Sequence, residues 1–190
     1  MISTSDDIST VTGLKGKTII TTGQGTTPEY TLNYILEKNG LKPGEDVKLE
    51  YKSEATEVAA AMSEATDAVA MLPQPYVTTV LAQDENMKIV LDMTKEWEKV
   101  SDGSLVTGVV IVRNEVLEEN KAAFDKFLAD YKESTEYVNR NVDDAATLVE
   151  KYDIFKAAIA KKAIPYCNIK FESGDEMKSD ISSYLNVLFD

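Results

Sequence analysis

The stretch Thr21–Tyr30, TTGQGTTPEY, gathers the residues of this chain best suited to holding an anion. Gly23 and Gly25 can take left-handed backbone angles and leave N–H groups uncovered. Gln24, Thr26 and Thr27 add polar side chains. Pro28 marks the first turn of a helix whose dipole favours negative charge at that end. A carboxylate, sulfonate or phosphate suits such a cradle. The stretch is not a P-loop, because no Lys-Ser/Thr pair follows the second glycine. It is not the dinucleotide fingerprint, because the third glycine is missing. The same residues also make a tight strand-to-helix turn with a good cap, and the residues alone leave both readings open.

Two further loops carry polar tips. In MLPQPY, Gln74 and Tyr76 offer polar and stacking contacts on a loop stiffened by two prolines, which equally serves as a rigid helix start. In SEAT, Ser53, Glu54 and Thr56 are second-rank ligand candidates, and helix capping is the stronger reading. Trp97, with Asp102-Gly103 beside it, is either an aromatic lid or a cover for a sheet edge. Cys167 reads as a small buried hydrophobe.

The composition closes several routes. The 190 residues include no histidine, which removes the commonest general base, the usual triads and most zinc sites. One cysteine precludes an internal disulfide and a cysteine metal cluster. The carboxylates show no EF-hand or other metal spacing, so no metal and no cofactor is expected. No carboxylate pair stands out for acid–base work, so the chain is not expected to be an enzyme. A net charge of −13 repels nucleic acid and anionic membrane surfaces. A local backbone nest can still bind an anion against that overall sign. Nothing approaches the ~18–20 apolar residues of a membrane span. The opening MISTSDDIST is polar and acidic and is neither a signal peptide nor a lipidation motif. The expectation is a cytoplasmic protein or a cut-down piece of an exported one.

The elements that must position these loops alternate. KTIITT (17–22), VKLEY (47–51) and DAVAML (67–72) read as strands, as do MKIVLDM (87–93) and TGVVIVR (107–113). Helices lie between: one capped by Thr27 before Pro28 and stopped at Asn39-Gly40, one from about Ser53, and one opening at PQPY. The stretch TKEWEKVSDGSL reads as an irregular loop. Strand–helix alternation predicts parallel βαβ units, with ligands outside the carboxyl ends of the strands. The fold class is therefore α/β, a five-stranded mostly parallel sheet flanked by helices. Beyond Arg113 the periodicity is helical throughout, with IPYCNIKF as an extended link and a Ser173/Glu176 capping box opening the last helix. The division is residues 1–13 as a polar segment, 14–113 as an α/β ligand-binding lobe and 114–190 as an all-helical C-terminal segment.

The segments LKGKTIITTGQGTTPEYTLNYILEKNGL, AVAMLPQPYVTTVL, GVVIVRNEVLEEN and AIAKKAIPYCNI resemble the substrate-binding proteins of ABC importers. The nearest branch is the nitrate, sulfonate and taurine group, which includes binders of the thiamine pyrimidine precursor. The resemblance runs from Leu14 nearly to the end. It implies one lobe of a type II periplasmic binding protein, which closes with a second α/β lobe on a small molecule. Residues from Leu14 to about Arg113 are similar to the second lobe, and the C-terminal helices would return to the first. The first lobe and the lipoprotein cysteine are expected before Leu14, so the chain resembles half a binding protein with its returning tail. The resemblance implies a small anionic or heteroaromatic solute such as a sulfonate, nitrate or pyrimidine, held by Gly23–Thr27, Gln74, Tyr76, Ser53, Glu54 and Thr56. It implies importer membrane subunits as partners and an extracellular or periplasmic setting. Relatives that make the thiamine pyrimidine consume a histidine of their own, and this chain has none. The competing reading is a truncated or interaction fragment that binds no ligand. In half a clamshell the helical tail loses the surface it would cover, so Phe124, Phe127, Leu128, Ile181, Leu185 and Leu188 are expected to repack on the lobe or to pair with a second copy.

Overall fold

The computed structural model describes all residues except Asp6, Thr66, Asp67 and Asp190. The expected strand start at Asp67 thus lies outside the described residues. The chain divides into two units, Met1–Val106 with Met177–Asp190, and Thr107–Glu176.

In the first unit, strands β1 (Ile2–Ser3), β2 (Thr18–Thr21), β3 (Lys48–Tyr51), β4 (Ala68–Ala70) and β5 (Lys88–Ile89) form one sheet in the order β3-β2-β4-β1-β5. Strand β2 runs parallel to β3 and β4, whereas β1 is antiparallel to β4 and β5. Four strands therefore share one direction and β1 opposes them. The α/β class and the five-stranded sheet agree with the sequence reading.

Side chains alternate across a strand, so neighbouring residues enter opposite cores. Ile19 and Val69 face one layer with Leu32, Ile35 and Leu36 of helix α1 (Thr27–Lys38). Ile20, Ala68 and Ala70 face the other, with Val58 and Met62 of α2 (Ala55–Glu64) and Val77 and Val80 of α3 (Tyr76–Gln83). The short α4 (Met93–Glu98) packs Trp97 into the first layer. The last helix, α9 (Gly174–Phe189), spans the division between units, and its Tyr184 joins the same layer as Trp97.

Several expectations are corrected. Residues 1–13 are not a separate polar segment: Met1, Ile2, Ile8 and Val11 are buried, and Ile2–Ser3 lies between β4 and β5. Ser3 tolerates burial because its hydroxyl donates to the Ala68 carbonyl at 2.9 Å. The fifth strand is thus β1. TGVVIVR is no strand; Val109, Val110 and Ile111 lie exposed, with no ladder partner among the described residues. MKIVLDM yields only the two-residue β5. The region read as an irregular loop contains α4, whose Asp92 carboxylate accepts from Thr94 N–H and Lys95 N–H. Trp97 is neither a lid nor an edge cover. It is fully buried, it donates from Nε1 to the Gly103 carbonyl at 2.8 Å, and it packs between Tyr34 and Tyr184.

The second unit is helical: α5 (Asn114–Glu119), α6 (Lys121–Arg140), α7 (Val142–Lys151) and α8 (Ala157–Ala163), with a 3-10 turn at Ile164–Tyr166 inside the expected extended link. Its core is built from Ala145, Ala146, Ala160 and Ile164, and the three alanines let α7 and α8 approach closely. Phe124, Phe127, Tyr131 and Phe171 form a row of ring contacts. Cys167 is exposed rather than buried, its thiol donating to the Ala163 carbonyl and its pKa raised by partial desolvation. The helical segment expected over 114–190 does not stay together, since residues from Met177 onward group with the first unit.

Candidate functional site

The parallel registers place the candidate loops at one sheet edge. Thr21 of β2 sits opposite Tyr51 of β3, and Ile20 opposite Ala70 of β4. The loops after all three strands, Gly23–Thr27, Lys52–Glu54 and Pro73–Pro75, therefore leave the carboxyl edge side by side, the glycine loop in the middle. Backbone bonds tie their roots: Lys52 N–H donates to Thr21 O at 2.8 Å, and Met71 N–H to Ile20 O at 3.0 Å. The buried Thr21 hydroxyl adds a bond to Met71 O at 3.1 Å.

The glycine loop is a tight turn. Gly23 and Gly25 both have positive φ, +81° and +73°. The Gly23 carbonyl accepts from Thr26 N–H at 3.1 Å and from the Thr26 hydroxyl at 2.6 Å. A Cβ on Gly23 would lie 2.9 Å from Pro28 Cγ, so this position requires glycine for space as well as for angle. Thr26, not Thr27, is the N-cap, and Thr27 begins the helix with Pro28 next.

A residue outside the expected set completes the loop. Glu29, in the first turn of α1, reaches back so that its Oε2 accepts from Gly25 N–H at 2.5 Å. Its Oε1 accepts from the Tyr51 hydroxyl at 2.9 Å. Burial, and then the Glu29 bond and charge, hold the Tyr51 phenol well above the ordinary tyrosine range. Glu29 stands three residues after the N-cap Thr26, and that spacing, the capping-box pattern, was the available signal.

The second loop is built alike. Glu57 Oε2 accepts from Ser53 N–H at 3.0 Å and from Glu54 N–H at 3.3 Å, while Glu54 caps α2 in a full capping box. Ser53, Glu54 and Thr56 are exposed. Lys52, the only cation of the three loops, pairs with Glu50 at 2.8 Å, and Glu50 raises its pKa. In the third loop the Gln74 carbonyl Oε1 accepts from the Thr78 hydroxyl at 2.8 Å and from Thr78 N–H at 3.3 Å. Tyr76 is half-buried, its ring packed against the core on the α2–α3 side. The fold thus brings all ten expected residues to one edge. Two of the three helix starts there are engaged by carboxylates of the chain itself. Among the described residues no group of three or more Cys, Asp or Glu side chains could hold a metal ion, and no helix is long and apolar enough to cross a membrane.

Comparison with known proteins follows the same lines. The NMT1/THI5-like family model matches residues 1–145. No curated protein matches the chain in sequence. Among solved structures, the chain is similar to the periplasmic aliphatic sulphonate binding protein SsuA from Escherichia coli, at 17% identity and a TM-score of 0.74, over 96% of this chain and 56% of that one. It is similar to an ABC transporter structure from Parabacteroides distasonis, at 24% identity and a TM-score of 0.74, over 92% of this chain and 60% of that one. A third is the alkanesulfonate-binding protein SsuA from Xanthomonas axonopodis pv. citri bound to MOPS, at 15% identity and a TM-score of 0.61, over 95% and 60%. The chain spans less than two thirds of the length of each of these proteins. The resemblance read from the sequence is borne out by the NMT1/THI5-like family match and by the fold shared with these binding proteins.

Proposed function

Because the chain belongs to the NMT1/THI5-like family, we propose that it is a solute-binding component of an ABC-type importer, taking a small anionic or heteroaromatic molecule. The observation that carries this reading is the alignment of three polar loops at the carboxyl edge of β3-β2-β4, where α/β sheets bind ligands. Gly23, Gln24, Gly25, Thr26 and Thr27 supply backbone and hydroxyl groups, Gln74 and Tyr76 a polar tip and an aromatic face, and Ser53, Glu54 and Thr56 the flank. The sulfonate binding named for two of the similar structures makes a sulfonate the first candidate. The role is read as binding rather than catalysis because two of the similar structures are named for binding. Importer membrane subunits would be the protein partners, and the extracellular face or periplasm the setting. Calorimetric titration with methanesulfonate, taurine, nitrate and an aminopyrimidine tests the reading. Saturable heat with at least one supports it, and silence across the panel removes it.

A second reading, an interaction fragment without a ligand, draws on one observation: the carboxylates of Glu29 and Glu57 already engage backbone N–H groups of the first two loops. The same titration separates the two readings.

A further inference from the structure

We propose that Glu29 is an internal counter-anion of the glycine loop, which an acidic ligand must displace, and that it thereby sets how strongly this edge discriminates against negative charge. The inference rests on the reading of the loop as a ligand site. Its geometric basis is the two-point hold on one carboxylate. Oε2 takes the Gly25 N–H at 2.5 Å and Oε1 takes the Tyr51 hydroxyl at 2.9 Å. The carboxylate is therefore seated between the central loop and the end of the neighbouring strand, and does not trail into solvent. Bonds to an ionised acceptor are roughly twice as strong as neutral ones, so the seat is a real competitor for the loop's donors.

Two consequences follow. An incoming sulfonate at this loop meets a like charge at close range, and the Gly25 N–H is available to it only when Glu29 has swung away. The apparent affinity is then lowered by the fraction of molecules in which Glu29 has left its seat. The hold is tunable from outside the loop, because Tyr51 belongs to β3 and supplies one of its two bonds. Neutralising the carboxylate removes the repulsion. Removing the Tyr51 hydroxyl loosens the seat without touching the loop.

The test compares the affinities of methanesulfonate and of the uncharged dimethyl sulfone for the protein and its E29Q and Y51F variants, by calorimetry. Their ratio isolates charge from shape and from general loosening of the fold. E29Q is expected to raise the sulfonate-to-sulfone affinity ratio about five- to tenfold, with Y51F shifting it in the same direction by less. A protein that binds sulfonate with a ratio unchanged or lowered in E29Q overturns the counter-anion role and leaves the loop reading standing. Absence of sulfonate binding in both the parent and E29Q overturns the counter-anion role, and the loop reading then stands or falls with the wider panel of taurine, nitrate and an aminopyrimidine. If E29Q does not fold, the direction of the Y51F ratio decides.

Discussion

The Tyr51 hydroxyl donates to Glu29 Oε1 at 2.9 Å, joining the end of β3 to the first turn of α1 across the root of the glycine loop. The bond links residues 22 positions apart. It ties the carboxylate that accepts from Gly25 N–H to the neighbouring strand.

The Y51F variant should therefore lose about 1.5–3 kcal/mol, the usual worth of a hydrogen bond to a charged group. Urea denaturation followed by Trp97 fluorescence measures this as a lower midpoint with an unchanged slope. The pH dependence has a definite sign. The folded Tyr51 holds its proton to higher pH than the unfolded one. Between those values the native state binds more protons, so stability falls as pH rises above about 10. Y51F should flatten that alkaline decline. An identical decline in both proteins would exclude Tyr51 as its source.

The two loop glycines should differ in cost. A side chain at Gly25 meets open space and suffers only from its φ of +73°, so G25A should lose about 1–2 kcal/mol. A side chain at Gly23 also meets Thr26 Oγ1 at 2.8 Å and Pro28 Cγ at 2.9 Å. G23A should lose about 1–3 kcal/mol more than G25A. Thermal melts of the two variants give the order.

Gly103 and Ser183 make a close approach between the segment after α4 and helix α9. A Cβ on Gly103 would sit 2.9 Å from Ser183 Cβ, while the Gly103 carbonyl accepts the buried Trp97 Nε1–H. G103A should cost about 1–3 kcal/mol and alter the emission of the single tryptophan. Removing the opposing Cβ with S183G should offset part of that loss. The double-mutant cycle should show coupling of at least about 0.5 kcal/mol. Strict additivity would mean that α9 does not hold this position in solution.

Glu57 accepts two backbone N–H groups at the start of α2. E57A should lower stability by about 1 kcal/mol, as removal of a helix cap does. Chemical denaturation of this variant gives the value.

What was legible in the sequence follows from how much chain each feature occupies. Strands β2, β3 and β4 and helices α1, α2 and α3 were readable because their apolar positions repeat over several residues and end at Pro or Gly signals. Strand β1 was hidden, because two residues carry no periodicity and buried Ser3 is polar. Its burial depends on a bond to Ala68, 65 residues away. Val109–Ile111 reads as a strand and is none, for the opposite reason. β-branched composition makes a strand only where a neighbouring strand offers backbone partners. Helix α4 lay behind the charged run TKEWEKV, although Asp92 was a serviceable start signal. The loops were placed correctly at one edge because βαβ order dictates it. Glu29 is hidden in the sequence because a capping-box glutamate reads as helix structure, and only the fold shows that Tyr51 holds its other oxygen.

On the proposed reading, a solute binds at the edge shared by the loops after β2, β3 and β4. An amide NMR titration of the protein with methanesulfonate tests it most directly. Saturable shifts are expected at Gly23, Gln24, Gly25, Thr26 and Thr27, extending to Ser53 and Gln74. Saturation without movement of those amides, or no saturable shift with methanesulfonate, taurine, nitrate or an aminopyrimidine, would contradict it.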